Sequence, residues 1–300
     1  MKGESAGSTP RTGEVRPYLV VDIEGSTGTW SREDTLVGTP GWRRARRAMT
    51  EDVNAMVTAL SAYTSAPFVV KDFHRDGYNI IPSLLHKRAL LVRGYYFRPI
   101  LMYGDLRASN MAFFVGMHAG SGNSAGFLPH TLTSRISRIL VNDEPLCETQ
   151  IFAHVLGEAG MPVTFVSGCP EACAEAKKLL PWVVTCPVPK DGPMAFSSSS
   201  IREELCRSAK QAILLHDAPL YQLTPPFQCK VTFRDEATAR RSNRWQFSLE
   251  ADTVSFACSD GASLILNLIK LAYFTPLTFR LLPLLLPPGR LVLGILDHFR

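Results

Sequence analysis

Six short apolar runs constrain this chain more than any other feature. "YLVVDIE", "APFVVKDF", "MAFFVGMH", "RISRILVND", "MPVTFVSG" and "WVVTCPV" read as strands buried on both faces, the texture of a parallel sheet. Between several of them lie helical patterns. "TEDVNAMVTALSAY" sets Val53, Met56, Val57 and Leu60 on one face, with Thr50 as N-cap and Glu51 and Asp52 in the first turn. "CETQIFAHVLGEAG" and "CPEACAEAKKLLP" predict two more helices, each closed by Gly or Pro. Strand and helix in alternation predict an α/β fold: a mainly parallel sheet covered by helices on both faces. From Pro225 the texture turns strand-rich, through "CKVTFRDE" and "WQFSLEADTVSFACSD", and the helix "GASLILNLIKLAYF" closes it. The organisation read from this is a disordered leader over 1–16, a catalytic region over 17–224, a strand and helix portion over 225–275, and an apolar tail over 276–300.

Ionisable residues fall at the ends of those runs. Asp22 and Glu24 close the first, Asp72 and His74 follow "FVV", His118 follows "AFFVGM", and Asp143 and Glu148 follow "ILV". Open α/β sheets bind ligands at the carboxyl ends of their strands, so these segments are expected to supply one site. Carboxylates gathered that closely need a cation or a proton between them. Two imidazoles with several carboxylates suit zinc above all, with manganese or cobalt as substitutes. Five such ligands exceed one tetrahedral zinc and suit two metals sharing a bridging carboxylate, a pair that polarises a carbonyl and activates water. His130, in "GFLPHT", lies beyond the glycine-rich loop "AGSGNSAG", which is expected to reach over the substrate; a free histidine beside a metal site shuttles protons. Asp72 and Asp143 read as partners that orient a histidine or a loop.

Composition narrows the class. At 46% hydrophobic and 20% charged over 300 residues the chain is globular, and a net charge of +5 makes no demand for nucleic acid. "RRARR", Arg43 to Arg47, reads as a solvated helix face. Seven scattered cysteines, an odd number, point to free thiols in a reducing cytoplasm. The tail "LTFRLLPLLLPPGRLVLGIL" is broken by Arg280, Pro283, Pro287, Pro288 and Arg290. It falls short of the roughly 18 uninterrupted apolar residues of a spanning helix, and is expected to pack on the core or on a neighbouring subunit, membrane contact being the lesser expectation.

"VVDIEG", "RRAMTEDVNA", "KDFH", "FVGMHAG", "GFLPHT" and "VNDEPLCE", in this order, resemble the zinc-dependent D-aminopeptidase family of DppA type, over about Tyr18 to Phe274. The resemblance implies metal ligation by Asp22, Glu24, His74, His118 and Glu148 and catalysis by His130. It further implies two zinc ions per subunit, short peptides as substrates with D-residues preferred, and a ring-like homo-oligomer such as a decamer. The chain departs from the family pattern at Cys147, before Glu148, at Cys169 and Pro170, and after Lys190, where "DGPMAFSSSS" stands. Lys190 is a candidate for binding a substrate carboxylate or oxyanion. Two alternatives stay open: a dimetal amidohydrolase acting on a non-peptide amide, and a membrane- or assembly-associated binding protein using the tail.

Overall fold

The computed structural model describes residues 13–96, 102–192 and 198–297. In chain order its elements are β1 (Pro17–Val21), α1 (Pro40–Leu60), β2 (Phe68–Asp72), β3 (Ala89–Val92), β4 (Met111–Met117), β5 (Ile136–Val141) and β6 (Glu144–Pro145). There follow α2 (Glu148–Glu158), β7 (Val163–Gly168), α3 (Pro170–Leu179), β8 (Val184–Pro187), α4 (Ser198–Ala212) and β9 (Phe227–Phe233). The chain then forms α5 (Glu236–Ser242), β10 (Ser248–Glu250), β11 (Thr253–Cys258), α6 (Gly261–Tyr273) and α7 (Pro276–Asp297). Residues 1–12 of the expected leader, and Ser197 of the serine run, lie outside the described residues.

Six strands form a parallel sheet in the order β3-β2-β1-β4-β7-β8. The inner strands β1, β2, β4 and β7 are buried along their whole length, which is why they read as unbroken apolar runs. On one face, Trp42, Met49, Val53 and Leu60 of α1 and Leu205 of α4 pack against Leu19, Val70 and Phe113. On the other, Phe152 and Leu156 of α2 and Ala172 and Ala176 of α3 meet Val20, Phe114 and Val166. Helices cover both faces, as the alternation predicts.

Three elements differ from the sequence reading. "RISRILVND" forms β5, which pairs antiparallel with β6 and β9 in a second, five-stranded sheet ordered β10-β11-β9-β5-β6. Apolar content marks a strand but does not select its partner. The helix expected to be capped by Thr50 starts eleven residues earlier, capped by the Thr39 hydroxyl with Pro40 in its first turn; Thr50 sits mid-helix, its hydroxyl donating to Arg46 O at 2.8 Å. "RRARR" therefore straddles a buried stripe: Arg43 and Arg47 are exposed, whereas Arg46 is buried.

The tail is the third difference. Its prolines do not end it: Pro283, Pro287 and Pro288 lie inside α7. The stretch Pro276–Gly294, 19 residues, is long and apolar enough to cross a membrane and only 6% of it is buried. That exposure explains the tolerance, because carbonyls freed by a proline ring are open to water. Leu282 and Asp297 are buried, and Arg290 stacks on Tyr96 with its guanidinium carbon 3.8 Å from the ring centre, so α7 is held to the body at a few points.

Candidate active site

The carboxyl ends of β1, β2 and β4 meet at one place. β1 stops at Val21, so Asp22 and Glu24 stand in the turn that follows it. Asp22 N donates to Val115 O at 2.9 Å and Gly25 N to Gly116 O at 2.8 Å, which straps this turn onto β4. Gly116 permits the strap. Its φ is +81°, and a Cβ there would lie 2.1 Å from Asp22 O. Two residues on, His118 leaves β4 facing Asp22, which gives a physical reason for the Gly-x-His spacing.

His74 follows β2 in a turn organised by Asp72. The Asp72 carboxylate accepts from the backbone nitrogens of His74 (3.1 Å), Asn79 (2.5 Å) and Ile80 (3.0 Å) and from the Asn79 side-chain amide (3.1 Å). It thus shapes the loop rather than touching the imidazole. The His74 ring is set by Thr35 O, 3.0 Å from Nε2, leaving Nδ1 against Glu24 (3.0 Å) and Asp22 (3.4 Å).

Glu148 reaches the same place from the N-terminus of α2, where the helix dipole favours a carboxylate. Its Oε1 accepts from Leu132 N at 2.7 Å, and its Oε2 lies 3.5 Å from His118 Nε2. The other oxygen pair is matched: Asp22 Oδ2 is also 3.5 Å from His118 Nε2. His118 Nδ1 donates to Ala119 O at 2.9 Å, while Nε2, deeply buried, has no hydrogen-bond partner. His130 stacks on His118 with ring centres 3.8 Å apart, and its Nδ1 donates to Leu128 O at 2.9 Å.

Two clusters result, each compact enough to hold an ion: Asp22, Glu24 and His74, and His118, His130 and Glu148. Electrostatics favour positive charge in both. Burial pushes the Asp22 carboxyl up to about 7, and Glu24 beside it adds to the rise. Burial opposes ionisation of Glu24 and Glu148 too, but His74 and His118 outweigh it and hold them below the ordinary carboxylate value. Burial alone would lower His74 and His118; instead Glu24 with Asp22, and Glu148 with Asp22, raise them well above an ordinary histidine. The donor set therefore fits a metal: the anchored nitrogens fix the rings, and an orphaned Nε2 points between two carboxylates. His130 goes the other way, lowered by burial and by His118.

Asp143, Lys190 and the glycine-rich loop stand elsewhere. Asp143 lies on the exposed β5–β6 turn, paired with Lys230 at 2.8 Å, because β5 belongs to the second sheet. The Lys190 ammonium donates to Ser26 O (2.7 Å) and Thr29 O (3.2 Å), fastening the loop after Glu24; burial draws its pKa down to about 7. The glycine-rich loop is held to α3 rather than over the site: Glu175 accepts from Gly120 N (3.0 Å) and from the Asn123 amide (2.7 Å). Cys147 and Cys169 are buried, and all seven cysteines are free.

A cavity of about 610 Å³ opens over the clusters, walled by Phe73, Tyr95, Met102 and Phe152 and reached by Arg32, Arg75, Arg234 and Tyr273. The sequence reading did not single out those arginines or Thr35. Arg75 was detectable as the neighbour of His74; Arg234 carried no signal.

Fold and site together define an α/β protein with a carboxylate–histidine centre suited to two metal ions. The chain belongs to the D-aminopeptidase family, whose family model matches residues 15–269. A D-aminopeptidase of Bacillus subtilis (strain 168) is 31% identical over 177 residues, covering 58% of this chain and 63% of that relative's length. In structure the chain resembles the Zn-dependent D-aminopeptidase DppA from Bacillus subtilis, a self-compartmentalizing protease. The TM-score is 0.79 at 24% identity, over 87% of this chain and 99% of the other.

Proposed function

We propose that this protein is a dinuclear zinc aminopeptidase that releases the N-terminal residue of short peptides, D-residues preferred, as a homo-oligomer enclosing its sites. The observation that carries it is Asp22, whose two oxygens face different clusters, Oδ1 toward His74 at 3.4 Å and Oδ2 toward His118 at 3.5 Å. A carboxylate so placed could serve both ions of a two-metal site, which Glu24 and His74 would help hold on one side and His118 and Glu148 on the other. Zinc bound there would supply Lewis acidity for the scissile carbonyl and an activated water at neutral pH. The D-residue preference and the enclosed assembly rest on family membership and on the described nature of the relatives. Seven free cysteines support a cytoplasmic setting.

The chain's own contribution is positioning and proton handling. Thr35 O and Ala119 O hold the two ligand imidazoles in the tautomers that present Nδ1 of His74 and Nε2 of His118 to the centre. His130 donates from Nδ1 to Leu128 O, which leaves Nε2 as the basic nitrogen, and burial beside His118 disfavours the protonated ring. It is the residue suited to take a proton from the attacking water and return it to the departing amine. Phe73, Tyr95 and Phe152 form an apolar wall beside the reacting groups.

A second reading follows from the closeness of His130 to His118 and Glu148, which makes it a ligand of the second ion. Hydrolysis of paired D-Ala and L-Ala amides and dipeptides by protein of measured zinc content, wild type and His130→Ala, decides. Intact zinc with collapsed turnover supports the proton-shuttle role. Loss of one zinc supports ligation. Zinc-loaded wild type that releases nothing from either series removes the aminopeptidase reading.

A further inference from the structure

The cavity holds three arginines that the metal chemistry does not use. Arg32, Arg75 and Arg234 come from three separate segments: the turn before α1, the turn after β2, and the end of β9 in the second sheet. All three are exposed, and their guanidinium groups have no hydrogen-bond or ion-pair partner among the described residues. Several other arginines are paired with carboxylates: Arg44 with Asp34, Arg46 and Arg93 with Asp297, Arg202 with Glu51 and Asp52. Free cations gathered at one cavity, opposite a floor of carboxylates, mark a place for an anion that the protein itself does not provide.

Geometry limits what that anion is. Arg75 is the neighbour of His74, so its Cα lies about 3.8 Å from that of a metal-cluster residue. An extended peptide advances about 3.3–3.6 Å per residue. A carboxylate one or two residues past a scissile bond at the clusters therefore falls within the span of an arginine side chain rooted beside His74. A guanidinium binds a carboxylate through two parallel N–H donors, and replacing the acid by an amide removes both the charge and one acceptor.

We infer that Arg75 and Arg234, with Arg32 beside them, bind the free C-terminal carboxylate of the substrate and restrict the site to short peptides with both termini free. This rests on the aminopeptidase reading and deepens it. The three arginines act as a ruler: a chain longer than two or three residues carries its carboxylate past them, and a capped chain offers none.

The test is binding by calorimetry to the zinc-loaded full chain of a D-alanyl-D-alanine analogue with a ketomethylene in place of the peptide bond. The free acid, its carboxamide, and a carboxamide with a glutamyl second side chain are compared. Wild type is expected to bind the free acid about tenfold or more tightly than the carboxamide. Arg75→Gln with Arg234→Gln is expected to bring that ratio close to one, and Arg75→Lys to restore part of it. Equal affinity for acid and carboxamide in wild type, a ratio unmoved by the glutamine variants, or no binding of either ligand would overturn the inference. Recovery of affinity by the glutamyl carboxamide would assign the arginines to a side-chain carboxylate and also overturn it. Failure of hydrolysis is a separate outcome that bears on the aminopeptidase reading alone.

Discussion

Replacing Asp72 by Asn tests how far the loop behind His74 governs the site. The carboxylate is fully buried and accepts four hydrogen bonds, two on each oxygen: from His74 N and the Asn79 amide on Oδ1, and from Asn79 N and Ile80 N on Oδ2. An asparagine must turn its amide nitrogen toward one of those pairs. Either orientation sets donor against donor and leaves two buried N–H groups unpaired, each at about 1–3 kcal/mol, so the loss is about 4 kcal/mol. At roughly 2–4 °C per kcal/mol for a chain of this size, Tm falls by about 10 °C in differential scanning calorimetry. The damage spreads, because Asn79 also accepts from the Trp42 indole (2.9 Å) and from Arg46 Nε (2.9 Å). Zinc affinity, measured by competition with a chromogenic chelator, should drop by about tenfold or more, as expected for a residue that orients a ligand. A variant melting within about 2 °C of wild type, with unchanged zinc affinity, would refute the reasoning.

Three other perturbations follow from the same geometry. Gly116→Ala places a Cβ against Asp22 O at a φ of +81°, so the strap between β1 and β4 must open; zinc retained after dialysis should fall below two per chain. Lys71 is buried, its ammonium held by Asp72 O (2.8 Å) and Gly94 O (2.7 Å), and burial draws its pKa down to about 7. The unfolded chain then binds more protons than the folded one between pH 7 and the ordinary lysine value, so stability rises with pH over that window and is lost as pH falls through 7. Lys71→Met should flatten that slope relative to wild type in urea titrations at pH 7, 8 and 9; parallel curves would contradict it. Asp297→Asn strips the charge partner from buried Arg46 and from Arg93, at about 3 kcal/mol, and should speed tryptic cleavage at Arg280 and Arg290 by about 100-fold. Unchanged cleavage would mean that α7 is held by its apolar contacts instead.

The parallel sheet was legible because its inner strands are buried on both sides, so β1, β2, β4 and β7 announce themselves as apolar runs. β3 was not: "ALLV" is half-exposed at a sheet edge, and four residues without alternation carry little signal. The start of α1 stands in the sequence as "TPGW", a threonine cap followed by proline, but the arginines after it mask the apolar stripe of Trp42, Ala45 and Met49 beneath. The ligand-type residues were legible as a set because strand ends collect binding groups. What no pattern could show is the tautomer of each ring, since Thr35 O and Ala119 O are backbone atoms whose placement depends on the whole fold.

The second sheet explains why the site draws on the chain as far as α6. The parallel sheet alone delivers Asp22, Glu24, His74 and His118, which is the whole of one cluster and one of the three members of the other. His130 and Glu148 arrive only because the chain leaves β4, passes the loop held by Glu175, enters β5 and returns through β6 to the start of α2. β5 is fixed in place by β9, and Arg234, the residue after β9, reaches the cavity. α6 ends at Tyr273, whose hydroxyl donates to Leu132 O, the residue whose own N–H holds Glu148. The C-terminal strands and helix are thus a wall of the cavity and a support of Glu148, not an appendage. Any destabilisation of the second sheet should therefore be felt first at the His118–Glu148 cluster, while the Asp22–Glu24–His74 cluster, rooted in the parallel sheet and in α1, persists.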